Sequence, residues 1–178
     1  MVMRMADLDL IRDFVNSVDF EEQRDDLQDG RGLARWLAAH RLAGARVRAR
    51  EGDAADARDV REALRELLRA NNGISVDEDA AAATLDAAAR RAGLEVRFVA
   101  GSIRLAPREG GVHGALGGVL AVAAAAMADG SWQRLKACRS DTCRWAFVDN
   151  ARNRSRQWCS MSVCGNREKA RLFRQRHA

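Results

Sequence analysis

No cysteine occurs before residue 138 of this 178-residue chain, and lysine is nearly absent, arginine supplying 28 of the 30 basic residues. Histidine is scarce too. His40, His113 and His177 stand apart, and none has a nucleophile or carboxylate partner suggested by its spacing. Neither a phosphate-cradling glycine loop nor a dinucleotide fingerprint is present. With the usual carriers of group-transfer and redox chemistry missing, the chain is not expected to be an enzyme. No basic segment, apolar run and cleavage site open it, because MVMRMADLDLIRDF turns acidic at once; the expectation is a cytoplasmic protein. There is one proline, no internal repeat and no low-complexity linker. Residues 110–128, GGVHGALGGVLAVAAAAMA, carry no formal charge over a length able to span a bilayer. Their bulk is Gly and Ala, however, and Leu116, Val119, Leu120, Ala123 and Met127 form one helical stripe, so a buried core helix and no membrane association are expected.

What is present divides unevenly. From Arg134 onward there are 12 Lys and Arg against 3 Asp and Glu, a net +9, which leaves 18 against 22, or −4, for residues 1–133. A mildly acidic body with a strongly basic end is the footprint expected where the end meets phosphate or anionic lipid.

The body reads as mainly helical. Leu10, Ile11, Phe14, Val15 and Val18 make a first amphipathic helix, Leu33, Trp36, Leu37 and His40 a second, with an acidic connection between them. Val60, Ala63, Leu64, Leu67 and Leu68 define a third, stopped by Asn71-Asn72-Gly73. Ser75 or Asp77 can cap a fourth, which ends at Gly93. The period then changes to 2: Leu94, Val96 and Phe98 alternate with polar residues, and Ile103 and Leu105 follow a turn, which predicts a β-hairpin. The fold class expected is mainly α with a small β-hairpin, a helical domain over 1–133 and a small four-cysteine finger over 134–178.

Cys138, Cys143, Cys159 and Cys164 form two C-x4-C pairs separated by fifteen residues. Such pairs let four thiolates converge on one tetrahedral zinc. Two disulfides or an iron–sulfur cluster could use the same residues; the missing export signal argues against the first and the symmetric spacing against the second. A four-thiolate zinc site has no open position, so the metal is expected to be structural, giving a short segment the folding free energy that its own core cannot supply.

The stretch CRSDTCRWAFVDNARNRSRQWCSMSVCGNR resembles the zinc finger of the CGNR family, named for the residues that stand here as Cys164-Gly165-Asn166-Arg167. Trp145, Phe147, Asp149, the run Asn153–Arg156 and Trp158-Cys159-Ser160-Met161 share in the likeness. Upstream, DFVNSVD and LARWLAAHRL resemble the helical ABATE domain that usually precedes this finger. The resemblance implies a stress-induced transcription regulator that binds DNA through its basic finger. Two positions depart from the family pattern: Ala151 stands where a hydroxyl residue is common, and Gln157 near the place of a second basic residue.

Arg152, Arg154 and Arg156 alternate, so an extended strand would aim all three to one side, along a phosphate backbone. After the last cysteine a helix is expected, with Arg167, Arg171 and Arg174 in one stripe and Leu172 and Phe173 docked on the finger; Lys169 joins the arginines as a candidate nucleic-acid contact. The partner expected is nucleic acid, with duplex DNA ahead of RNA, which stacking on Trp145, Phe147 and Trp158 would favour. A zinc-stabilised protein-interaction module is the alternative. The body would bind an unknown small-molecule ligand or pair two copies into a homodimer. Asn16, polar on an apolar face, is expected to cap its helix.

Overall fold

The computed structural model describes residues 5–177. Six α-helices, α1 (Met5–Val15), α2 (Gly30–Ala39), α3 (Glu51–Ala70), α4 (Glu78–Ala92), α5 (Gly111–Asp129) and α6 (Asn166–Arg176), are joined by three two-stranded antiparallel ribbons, which follow α1, α4 and α5. The ribbons are β1–β2 (Val18–Asp19, Arg24–Asp25), β3–β4 (Leu94–Val99, Ser102–Pro107) and β5–β6 (Leu135–Ala137, Ala146–Val148). The mainly helical class and the hairpin after α4 are as the periodicity indicates.

Local chemistry sets the helix ends. Asp29 caps α2 by accepting from the Gly32 amide at 2.7 Å, and Asp77 caps α4 by accepting from Ala80 at 2.9 Å. The segment between α1 and α2 is more than an acidic connection. It folds back as β1–β2 and sends Leu27 fully into the core.

α3 is the strut of the molecule. Its 20 residues span about 30 Å. Ala54, Ala57, Val60, Leu64 and Leu68 are buried along it, against α1, α2, α4 and α5. Two arginines share that buried side. Arg61 grips Asp25 through two hydrogen bonds, at 2.6 and 2.9 Å. Arg65, with no exposed surface, is bound by Glu62 at 2.9 Å and by the carbonyls of Val15 and Arg144.

Nine residues of α5 are buried, Val119 and Ala126 completely. By length and composition α5 could cross a membrane, but half of its most apolar window lies inside the protein. Its small residues let neighbours approach closely. A Cβ on Gly117 would lie 2.6 Å from that of Ala92 and 3.0 Å from that of Pro107, so glycine sets the α4–α5 crossing and the seat of the β3–β4 ribbon.

After a 3-10 turn at Ser131–Arg134, the chain enters β5–β6, whose Leu135, Ala137 and Ala146 belong to the same core as the helices. The cysteine-bearing segment is thus anchored in the body by its own first strands.

Candidate metal centre and nucleic-acid interface

The first cysteine pair sits on the turn of the β5–β6 ribbon. Cys138 directly follows β5 and its amide donates to the Trp145 carbonyl at 2.9 Å. Cys143 follows a tight turn in which the amides of Cys143 and Arg144 both reach the Ser140 carbonyl. The second pair comes from a loop and a π-helical turn, Met161–Gly165, capped by Ser160. Gly165 is required there by packing: a Cβ would lie 2.9 Å from the Met161 thioether and 3.3 Å from the Trp158 ring.

All four Sγ atoms lie within 4.8 Å of one another, with Cys143–Cys159 at 3.6 Å and Cys159–Cys164 at 3.7 Å. Disulfide sulfurs would be about 2.05 Å apart. A tetrahedral site with metal–sulfur bonds of about 2.3 Å has sulfur–sulfur edges of about 3.8 Å. The donor set therefore fits a four-thiolate metal centre.

The thiols also show the electrostatic need for a cation. Cys138 is drawn down to about 2, because the Cys143 and Cys159 thiols and the amides of Cys159 and Ser140 all favour its thiolate. Cys143 is pushed up to about 12, chiefly by giving its hydrogen bond to Cys138. Cys159 is raised for the same reason, and Cys164 first by burial. Clustered sulfurs can share one negative charge among themselves; only a bound cation lets all four ionise.

A buried ion pair stiffens the loop between the two pairs. Lys136 Nζ lies 2.8 Å from Asp149 Oδ2, both groups almost wholly enclosed, and also donates to the carbonyls of Arg154 and Arg156. Burial pushes the Asp149 carboxyl up, but Lys136 and the amides of Ala151 and Arg156 outweigh it and hold it below the usual carboxylate range. Among the buried side-chain polar atoms of the described residues, none lacks a hydrogen-bond partner.

The three alternating arginines do not lie along one side of a strand. Residues 151–154 form a turn, in which the Arg154 amide reaches the Ala151 carbonyl and Arg154 has a φ of 49°. Arg152 and Arg154 are exposed, and no acidic group pairs with either among the described residues. Arg156 has a different task. Its guanidinium lies 4.8 Å over the Phe147 ring and donates to the carbonyls of Trp158 and Cys159, which fixes the approach to the third cysteine.

The C-terminal helix forms as expected, but Leu172 and Phe173 do not dock. They are 37% and 62% exposed, and α6 buries no residue; Leu172 reaches only the wall of an open cleft between helix and finger. Its arginine stripe instead faces inward. Arg167, Arg171 and Arg174 line a cleft of about 820 Å³ together with Arg139 and Trp158 of the finger. Arg167 is paired with Glu21 of the β1–β2 turn and Arg171 with Glu168, whereas Arg174 and Lys169 have no acidic partner among the described residues.

Several residues that hold the site carried no metal-binding or nucleic-acid-binding motif. Asn71 and Asn72, read only as a helix stop, donate to the carbonyls of Trp132, Leu135, Ala137 and Gln157 at 2.7–2.9 Å. Asn16 does not cap α1; it pairs with the backbone of Ala146. Two signals were within reach: Asn16, polar on an apolar face, and the placing of Arg61 and Arg65 on the buried stripe of α3, where a charge demands a partner.

Two family models match the chain in succession. Residues 8–130 match the ABATE model, described as "Putative stress-induced transcription regulator", and residues 134–177 match the CGNR zinc finger. No curated protein matches the chain. With most of its length and all four clustered cysteines accounted for in that order, the chain belongs to the ABATE family and ends in a CGNR zinc finger.

Proposed function

We propose that the protein is a transcription regulator whose finger holds one structural Zn²⁺ and binds duplex DNA, while the helical body senses a ligand or pairs two copies. The observation that carries this reading is the cleft beside Cys164, which gathers Arg139, Arg167, Arg171 and Arg174. Four thiolates and one Zn²⁺ sum to −2, which the +9 of the segment from Arg134 onward exceeds. Zinc, closed in by four ligands, performs no chemistry; it holds loop and helix so that the guanidinium groups keep their spacing. Such groups suit phosphate oxygens and the guanine edge alike. Ligand sensing would fall to the body, where a cleft of about 570 Å³ opens between Arg48, Arg50, Asp53 and His113.

The deciding experiment is selection from random duplexes by the zinc-loaded full chain, followed by affinity measured across salt concentrations. A selected sequence whose log K falls linearly with log salt supports the reading. Binding that is absent, or indifferent to salt, sinks it. A second reading rests on Trp158, half-buried in the wall of the arginine cleft, where an unpaired base could stack. Preference for single strands over duplex in competition would establish that reading instead, and salt-sensitive capture of an acidic protein surface without nucleic-acid binding would leave an interaction module.

A further inference from the structure

Eleven large apolar side chains stand exposed among the described residues, and five of them crowd onto the β3–β4 ribbon: Val96, Phe98, Val99, Ile103 and Leu105. Scattered apolar residues on a surface are ordinary, but a concentration on one twelve-residue element is not. The register places Val96 opposite Leu105 and Phe98 opposite Ile103, so these four share one face of the ribbon. The same face begins at its base with Leu94 opposite Pro107, where both pack against α5 at Gly117. It starts in the core and runs out beyond it, reaching 67% exposure at Ile103 and 84% at Phe98. The other face carries Arg97 directly opposite Arg104, with Glu95 paired to Arg97.

We propose that this overhanging apolar face is the contact through which two copies of the chain form a symmetric dimer. The occupant is a second copy because the face is self-complementary. In a two-fold contact each Phe98–Ile103 pair meets the same pair, and the association closes at two. Charge selects the side: the Arg97–Arg104 face repels its own copy, which leaves the apolar face as the one that pairs. Area agrees as well. The four side chains of that face expose on the order of 400 Å² of apolar surface, the size of the largest patch on a typical monomer, which is often a functional contact. That is about half of the roughly 800 Å² that each partner contributes to a standard interface, the rest falling to the residues around it. The inference does not depend on the finger's ligand, since its readout is oligomeric state.

Sedimentation equilibrium on the full zinc-loaded chain tests it. The wild type is expected to be a dimer at micromolar concentration. The double variant Phe98→Asp, Ile103→Asp is expected to weaken the dimer at least about 30-fold, as the loss of central anchors does. Because both positions are exposed, its helical content and its zinc content should match those of a matched control, Arg97→Gln, which should remain dimeric. A wild-type protein that stays monomeric overturns the proposal. A dimer that survives in the folded double variant overturns it as well.

Discussion

The side-chain amide of Asn16 holds both backbone groups of Ala146, 130 residues further along the chain, donating to its carbonyl at 2.9 Å and accepting from its amide at 2.7 Å. An asparagine here completes the ladder of β6 as a neighbouring strand would. Together with Arg65, Asn71 and Asn72, it ties the ends of α1 and α3 to the strands that carry the metal site.

Replacing Asn16 by Ala should therefore act on both parts. It leaves an amide and a carbonyl of a core strand unpaired, a loss of about 1–3 kcal/mol. Urea unfolding should show that loss in the zinc-loaded protein, and metal affinity should fall with it. Unchanged stability would show that water replaces the side chain.

Much of this architecture was legible because it is local. The apolar stripes of α3 and α5, the cap at Asp77 and the alternation of β3–β4 are all short-range patterns, and the C-x4-C pairs reveal convergence because one turn brings each pair together. The clasp was illegible because Asn16, Asn71, Asn72 and Arg65 bind distant backbone atoms, and a backbone carbonyl has the same chemistry at every residue. The wheel of α6 separates its arginine stripe from Leu172 and Phe173 but cannot say whether a surface lies beneath the apolar pair. Arg156 looked like a third member of an alternating run until the turn at 151–154 removed the strand.

One zinc per chain is expected on elemental analysis of protein prepared without chelator. Chelation, or Cys159→Ser, should release the loop from Ala151 to Ser160 and α6, while Leu135, Ala137 and Ala146 keep β5–β6 in the core. The near-ultraviolet signal of Trp158 should change with most of the helical signal retained. Full loss of helix on chelation would mean that the body cannot stand without the metal.

Arginines of the cleft and the loop should respond differently to substitution. Arg171→Ala with Arg174→Ala should lower the salt slope of duplex binding by up to about 2, if each neutralises one phosphate. Arg156→Ala should leave the slope nearly unchanged and reduce zinc affinity instead, because its guanidinium holds the carbonyls of Trp158 and Cys159. Equal slope losses from Arg156→Ala would place that residue on the phosphates after all.

Acid sensitivity of the body should trace to Asp25. Burial pushes its carboxyl up, but two hydrogen bonds from Arg61, one from the Leu27 amide and the nearby Arg58 hold it below the usual range. A depressed native value means that stabilisation is fully present above the unfolded value of about 3.9 and is lost as pH falls through the native one. The stability gap between wild type and Asp25→Asn should thus be constant from neutral pH down to about 5 and close below about 4. Zinc loss in acid affects both proteins and cancels in the comparison. A gap that widens on acidification would contradict the assignment.

Glu21 should restrain the finger. Its carboxylate pairs with Arg167, the last residue of the CGNR motif, and it is the acidic group of the body that faces the arginine cleft through that pair. The pair is exposed, so Glu21→Gln should leave the thermal midpoint nearly unchanged. Duplex binding should tighten, since Arg167 no longer has to leave a carboxylate to meet a phosphate and one negative charge is gone from the approach. The gain should be largest at low salt and shrink as salt screens the charge. Charge reversal, Glu21→Lys, should extend the same trend with a steeper salt slope. If neither variant binds more tightly than wild type while Arg167→Ala still weakens binding, Arg167 meets the nucleic acid without first leaving Glu21, and the body exerts no hold on the finger through this pair.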